Sequence, residues 1–382
     1  MSKQSFSIEY NYEVQFTSKV FDPANDILIN VLKENSERFP IKVAFAIDSG
    51  VLEHHYSLND SIKAYCEAHN IDLAAEPLVL PGGEPVKNDM NLVFQGLEYI
   101  DTAKIDRHAF LIAIGGGAIL DMVGLVAAIG HRGIRHIRIP TTVLSQNDSG
   151  VGVKNGVNFQ GKKNFIGTFA PPVGVICDQE FLTTLSERDW RAGIPEAIKV
   201  SLLKDPEFFH WIVDHVDQLN DRNLEVMMEL VERCAVLHMV HISTNGDPFE
   251  KGSSRPLDFG HWAAHKLEQL TDFDVRHGEA VAIGLAIDNV YAMKKGWLSR
   301  EACETILNCI QQLGFELFHS QLTDESGDQI NPKLIAGLEE FREHLGGELT
   351  IMLLDGIGQP REVHEMDHQL IEESILFLKQ RN

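Results

Sequence analysis

The stretch Phe110-Leu111-Ile112-Ala113-Ile114, closed by Gly115-Gly116-Gly117, constrains this chain more than any other. Five apolar residues without alternation suit a strand covered on both faces. The glycines end it, and residues 118–129, small and apolar, read as a buried helix. Strand, turn and helix in this order build a parallel sheet. The glycines leave two readings. One is a plain tight turn. The other is a loop whose backbone lies close to a pyrophosphate, held by N–H groups at the helix start. The fuller G-x-G-x-x-G pattern is absent.

Neighbouring segments repeat the alternation. Val43 to Ile47 reads as a buried strand ending at Asp48-Ser49-Gly50, with a helix over 58–69. Leu78-Val79-Leu80 reads as a strand before Pro81-Gly82-Gly83-Glu84, with a helix over 88–103. Ile137-Arg138-Ile139 leads into Pro140-Thr141-Thr142. Beyond about residue 180 helical spacing dominates, over 187–204, 206–217, 222–243, 258–270, 277–295, 299–312, 332–344 and 366–380. Leu349 to Leu354 reads as a late strand. The predicted class is α/β + α: a Rossmann-like domain with a parallel sheet over 1–180, then a helical domain over 181–382.

Charge narrows the ligand. With 33 basic and 56 acidic residues the net charge is −23, which repels a nucleic-acid backbone. A local basic cluster can still hold a small phosphorylated molecule. No run of ~18 apolar residues occurs, so no membrane span is expected. The start, Met1 to Ser7, lacks the apolar core of a secretory signal. The five cysteines are scattered, which fits a reducing compartment, and the expected location is cytoplasmic.

Several residues carry chemistry. Asp48, at a strand end, can accept a ribose hydroxyl or cap a helix. Pro81 to Glu84 with Lys87 is a ligand loop or an exposed turn. Asp148 to Asn158, continued by Gly161-Lys162-Lys163-Asn164, reads as a flexible glycine-rich loop. Its lysines and amides point to an anionic ligand; the other reading is a solvated loop. Arg132-Gly133 offers a further phosphate contact. His261 and His265 share one helix face at i and i+4, and His277-Gly278-Glu279 opens the next helix. Imidazoles with a distant carboxylate can form a three-ligand Zn²⁺ site with an open position. The H-E-x-x-H arrangement of a metalloprotease is absent.

Together these motifs resemble the sugar phosphate cyclases, the 3-dehydroquinate synthase-like superfamily. The resemblance runs in order over residues 43–355. It rests on Gly115-Gly116-Gly117, Asp121, Arg132-Gly133 and Pro140-Thr141-Thr142, then on the loop Asp148 to Asn158 with Lys163-Asn164. Glu196-Ala197-Ile198-Lys199, Gly260-His261 and His277-Gly278-Glu279 complete it. It implies an N-terminal NAD-binding domain and a C-terminal metal-binding domain. Glu196, His261 and His277 would hold Zn²⁺ or Co²⁺. Asp48, Glu84, Lys87, Gly115, Gly116 and Asp121 would contact NAD, as would Thr141, Thr142, Lys163 and Thr184. Asp148, Lys154, Lys199, His265 and Glu250 would act on the substrate, a small sugar phosphate held also by Asn164. Arg132 would reach its phosphate from the other subunit of a homodimer. The implied reaction oxidises a substrate hydroxyl by hydride transfer to NAD⁺, eliminates phosphate, returns the hydride and closes a carbocycle by an intramolecular aldol step.

Some positions depart from dehydroquinate synthase. That enzyme resembles this chain except that its motif carries an asparagine where Asp258 stands here, and an arginine where Ser254 stands, with Arg255 displaced by one. A lysine of the family becomes His241 ahead of Asp247 and Glu250, and a late lysine pair becomes Phe341-Arg342-Glu343-His344. An acid beside a carboxylated substrate adds repulsion. Asp258 and His344 resemble the cyclases that act on sedoheptulose 7-phosphate, such as 2-epi-5-epi-valiolone synthase; the rest of the helix with His265 resembles those less and is similar to another branch, such as the cyclase of the bacterial Ebo cluster. The expectation is a cyclase whose substrate lacks a carboxylate. The alternatives are 3-dehydroquinate synthase, a metal- and NAD-dependent polyol dehydrogenase and a catalytically inactive binding protein.

Overall fold

The computed structural model describes residues 2–160, 162–244, 248–249, 256–344 and 347–381. The chain forms two compact units, Met1–Leu185 and Ser186–Asn382. Among the described residues, no helix is long and apolar enough to cross a membrane.

The first unit is built on parallel strands: β1 (Val14–Thr17), β2 (Ile41–Asp48), β3 (Ile71–Leu73), β4 (Leu78–Leu80), β5 (Phe110–Gly115) and β6 (Arg135–Pro140). The hairpin β7 (Lys154–Phe159) and β8 (Lys162–Phe169) follows, and β9 (Gly174–Asp178) rejoins the sheet. The order across it is β1-β9-β6-β5-β2-β3, with β4 also paired to β2. Alternate residues of β2 serve opposite layers. Val43, Phe45 and Ile47 enter one core with the helices Ile27–Glu34 and Leu58–Ala68. Ala44 and Ala46 enter the other, with Met90–Thr102 and Gly117–Ile129. Burial on both faces is why these strands read as unbroken apolar runs.

The chain order places a ligand site. From β2 the chain moves to β3 and β4 on one side, then to β5 on the other. The direction therefore switches between β2 and β5. In open parallel sheets ligands bind outside the carboxyl ends of the strands at such a switch. Here those ends are Asp48 and Gly115.

The second unit is helical. Its central helix, His277–Lys294, is buried along nearly its whole length, including Ala280 to Ala292. The helices Ile194–Lys204, His261–Leu270, Arg300–Gln312 and His368–Arg381 pack around it. Gly284 and Gly260 let one pair approach closely: a Cβ at Gly284 would lie 2.0 Å from the Gly260 carbonyl oxygen. Gly260 also has φ +79°, which ends the preceding turn and starts the helix at His261.

Three expectations are corrected. The loop predicted at Asp148–Asn158 and 161–164 is a π-helical turn, Ser145–Ser149, followed by the β7–β8 hairpin. Gly156 pairs with Gly167 across it, and a Cβ at Gly167 would meet the Asn155 oxygen at 2.5 Å. The glycines serve close strand pairing, not flexibility. The predicted helix 187–204 divides into Glu187–Arg191 and Ile194–Lys204, because Pro195 suits a first turn and not an interior. The predicted helix 206–217 ends at Asp214, and a short helix Val216–Asn220 follows. The late strand exists as β10 (Ile351–Gly356), paired with an unforeseen antiparallel β11 (Gln359–Val363).

Candidate functional site

In the second unit three helix starts converge. Glu196 lies in the first turn of Ile194–Lys204, His261 opens His261–Leu270, and His277 opens His277–Lys294. Their ligand atoms all lie within 4.8 Å of one another. His277 Nε2 is 3.2 Å from Glu196 Oε1, and His261 Nε2 is 3.6 Å from the same atom. The ring tautomers follow from the opposite edges. His261 Nδ1 donates to the Phe259 carbonyl at 3.0 Å, and His277 Nδ1 faces Glu268 Oε2 at 3.4 Å. Both Nε2 lone pairs are thereby left for the common point.

Glu196 is 1% exposed; its Oε2 pairs with the Lys199 ammonium and its Oε1 faces both imidazoles. Burial opposes its charge, but the Lys199 ammonium and the two imidazoles outweigh burial and hold the carboxyl well below the usual carboxylate range. An anionic oxygen and two neutral imidazole nitrogens, buried and convergent, are the donor set of a Zn²⁺-type ion. The residues present therefore fit a divalent metal. His265 stands beside the triad, its ring 5.3 Å from that of His261 and 6.0 Å from that of His277.

Two supporting residues were missed in the sequence. Glu268 is seven positions from His261, on the same helix face, a spacing that could have flagged it. Asp288 is fully buried and accepts hydrogen bonds from Trp262 Nε1 at 2.9 Å and from the Gly260 N–H at 3.0 Å. Burial pushes its pKa up to about 7 against those two bonds. It ties the start of the helix His261–Leu270 to the central helix.

Asp258 sits in the single turn Pro256–Asp258. Its charge acts on His241, whose pKa burial and the nearby Lys204 push down to about 4, with Asp258 opposing. Glu250, Ser254 and Arg255 lie outside the described residues, as does the side chain of His344.

In the first unit the predicted residues gather at the strand ends. Asp48 accepts from the Gly50 N–H at 2.8 Å, so it caps the helix Ser49–His54. A Cβ at Gly82 would fall 2.2 Å from Asp48 Oδ1, and one at Gly115 would fall 3.1 Å from Asp48 Cβ. The Thr141 N–H donates to the Gly115 carbonyl at 3.0 Å, and Thr142 bonds Ser145. The helix Gly117–Ile129 starts at Gly116 with no side-chain cap. Its first N–H groups and the glycine cradle beside Asp48 fit the pyrophosphate and ribose of a dinucleotide.

A second cluster ties the hairpin down. Lys87, 4% exposed, donates to Asp121 Oδ2 at 2.7 Å and to Asn164 Oδ1. The Asn164 N–H donates to Asn158 Oδ1 at 2.8 Å, and Asn158 Nδ2 donates to Glu84 Oε1 at 3.0 Å. Lys154, at the start of β7, is exposed, and Asp148 lies in the π-helical turn. Lys163 is on β8, and Thr184 Oγ1 hydrogen-bonds His55 Nε2 at 2.9 Å. Arg132 is not brought to this group. It is exposed at the far end of the 13-residue helix Gly117–Ile129, roughly 20 Å from the glycine loop. It sits in a strained run: φ is +50° at His131, +63° at Arg132 and +121° at Gly133.

Known proteins resemble this chain over most of its length. A family model described as 3-dehydroquinate synthase N-terminal matches residues 77–192, and one described as 3-dehydroquinate synthase C-terminal matches 193–331. The 3-dehydroquinate synthase of Halorhodospira halophila is 33% identical over 332 residues, covering 84% of this chain and 91% of that one. The 2-epi-5-epi-valiolone synthase of Streptomyces hygroscopicus subsp. jinggangensis 5008, solved with NAD⁺ and Zn²⁺ bound, superposes with a TM-score of 0.89 at 28% identity, covering 100% of both chains. A 2-deoxy-scyllo-inosose synthase complexed with carbaglucose-6-phosphate, NAD⁺ and Co²⁺ shares the fold, with a TM-score of 0.76 at 22% identity and 95% coverage of each chain.

Proposed function

We propose that this chain, which belongs to the 3-dehydroquinate synthase-like family of sugar phosphate cyclases, acts on a heptulose 7-phosphate-type sugar that lacks a carboxylate. It is an NAD- and metal-dependent carbon–oxygen lyase. The observation that carries the reading is the buried convergence of Glu196, His261 and His277. When bound, NAD⁺ supplies a transient hydride acceptor and the divalent metal a Lewis acid.

The chain's own residues divide the remaining work. Glu196, His261 and His277 hold the metal. Asp48, Gly115, Gly116, Thr141 and Thr142 hold the dinucleotide, with Thr184, Lys163, Glu84, Lys87 and Asp121 around it. Lys154 and Asn164 hold phosphate; a lysine serves as a mobile point charge for an anion in an otherwise acidic chain. His265 relays the hydroxyl proton, with Asp148, Lys199 and Glu250 in supporting catalytic roles. Arg132 serves the phosphate of a second copy in a homodimer, which its distance from its own glycine loop supports.

The substrate preference rests on Asp258. A carboxylate there, facing His241, repels a carboxylated sugar and accepts hydroxyl groups. A second reading, 3-dehydroquinate synthase, is favoured by the names of both family models and of the curated relative. Phosphate release from sedoheptulose 7-phosphate and from 3-deoxy-arabino-heptulosonate 7-phosphate separates the two. Release from the first alone supports the proposal. Release from the second alone establishes the alternative.

A further inference from the structure

Arg138, in the middle of β6, is fully buried, and its side-chain hydrogen bonds go to one short segment. Its Nη1 donates to the carbonyls of Gly150 at 3.1 Å and Gly152 at 2.8 Å. Its Nη2 donates to the Lys154 carbonyl at 2.9 Å and to Asn155 Oδ1 at 2.7 Å. The two carbonyls between are taken by other donors. Tyr12 Oη donates to Val151 at 2.7 Å, and the Ala170 N–H donates to Val153 at 3.0 Å. Every carbonyl from 150 to 154 is therefore held. Asn155 completes the lock, donating from Nδ2 to the Ala170 carbonyl at 3.0 Å. The helix Gly117–Ile129 leaves room for it: a Cβ at Gly124 would fall 1.8 Å from Asn155 Oδ1.

The charge of Arg138 is met by carbonyl dipoles and by the field of the Asp121 carboxylate. An apolar side chain would fill this strand position with less desolvation. What only a guanidinium supplies is five donors in a fixed planar fork, wide enough to reach several carbonyls at once. The segment so fixed ends in Lys154.

We propose that Arg138 is a positioning residue that sets the backbone of residues 150–154 and thereby aims Lys154 at the substrate phosphate. The proposal rests on the reading of Lys154 as a phosphate-holding residue. Arg138 does not touch substrate; it acts through the main chain on which Lys154 stands.

The test uses the full chain loaded with Zn²⁺ and NAD⁺, and inorganic phosphate as the probe. Phosphate affinity and NAD⁺ affinity are measured for Arg138→Lys, Lys154→Ala and the double variant, with hydrogen exchange over 150–155. Arg138→Lys keeps the charge and loses the fork. The expected result is a ~10-fold or greater loss of phosphate affinity with NAD⁺ affinity unchanged within ~2-fold, faster exchange over 150–155, and no further loss when added to Lys154→Ala. Equal loss of both ligands, or a phosphate loss that adds fully to that of Lys154→Ala, overturns the proposal, because it marks a general structural role. Unchanged exchange over 150–155 overturns it too. If exchange rises but Lys154→Ala binds phosphate like the parent, the role given to Lys154 is what fails. Tyr12→Phe frees only the Val151 carbonyl and removes no charge, so it covers the case in which Arg138→Lys does not fold. It is expected to show the same pattern at ~2- to 3-fold, and loss of NAD⁺ affinity in step with phosphate would count against the proposal.

Discussion

Glu268 Oε2 faces His277 Nδ1 at 3.4 Å, on the edge of the ring opposite Glu196. A buried carboxylate in that place fixes the ring and its tautomer and raises the basicity of the metal-facing nitrogen. Glu268→Gln should keep the volume and weaken this effect. The expected outcome is a ~10- to 100-fold loss of Zn²⁺ affinity in a chelator competition, with the fold intact by circular dichroism. Parent-like affinity would show that Glu268 is only packing.

Lys199 and Glu196 form a buried ion pair three residues apart, 4% and 1% exposed. Glu196→Gln removes a metal ligand and leaves the lysine without its anion. Metal content after loading should fall to background. The metal-free variant should also be less stable than the metal-free parent, by about 3–5 kcal/mol in denaturant unfolding.

The pair Lys87–Asp121 allows a cleaner test, since it lies in the other unit. Removing Asp121 leaves the buried Lys87 ammonium without its anion, whereas removing Lys87 leaves a carboxylate that is 19% exposed. Asp121→Leu should destabilise by about 3 kcal/mol and Lys87→Met by less, while the double variant recovers a large part of the Asp121→Leu loss. Simple additivity in unfolding experiments would mean that the two charges are not coupled.

His136 gives the first unit an acid limb. It is buried on β6, its Nδ1 donates to the Leu111 carbonyl at 3.0 Å, and Nε2 has no hydrogen-bond partner. Burial, with Arg138 adding, pushes its pKa down from 6.5 to about 3. The unfolded chain takes up this proton near pH 6.5 and the folded chain only near pH 3. The contribution is complete above the upper value and is lost as pH falls between them. The slope is at most about 1.4 kcal/mol per pH unit. His136→Asn keeps a donor for Leu111 and should flatten the stability profile over that window. An unchanged profile would assign the acid limb to other groups.

Arg132 predicts a complementation experiment. If it serves a second copy, Arg132→Ala and Glu196→Gln are each inactive alone, but mixed and reassembled they form one intact site per mixed dimer. Random reassortment then restores about a quarter of parent activity. No recovery, from chains that demonstrably exchange, would place Arg132 in its own site or in none.

Legibility in the sequence followed the physics of each element. β2 and β5 were readable because burial on both faces leaves unbroken apolar runs, and Asp48 and Gly115 were readable as their ends. In the candidate metal site, His261 and His277 were readable from their clustering with His265, whereas Glu196 stood out only through the family resemblance. The hairpin was not. Buried Asn155 and Asn158 and the facing Gly156 and Gly167 erase the alternation that marks a strand. Asp288 was hidden for another reason: its partners, Trp262 and Gly260, meet it only through tertiary packing. Arg138 was readable only as part of Ile137-Arg138-Ile139; its hydrogen bonds to residues 150–155 arise from tertiary packing.

One stoichiometry tests the cyclase reaction most directly. The Zn²⁺-loaded protein with NAD⁺ is given sedoheptulose 7-phosphate, and inorganic phosphate and NADH are followed together to completion. The account predicts one phosphate per sugar consumed and no accumulated NADH, because the hydride is returned before the ring closes. NADH formed in step with substrate, without phosphate release, would contradict it and make the protein a dehydrogenase on the same fold.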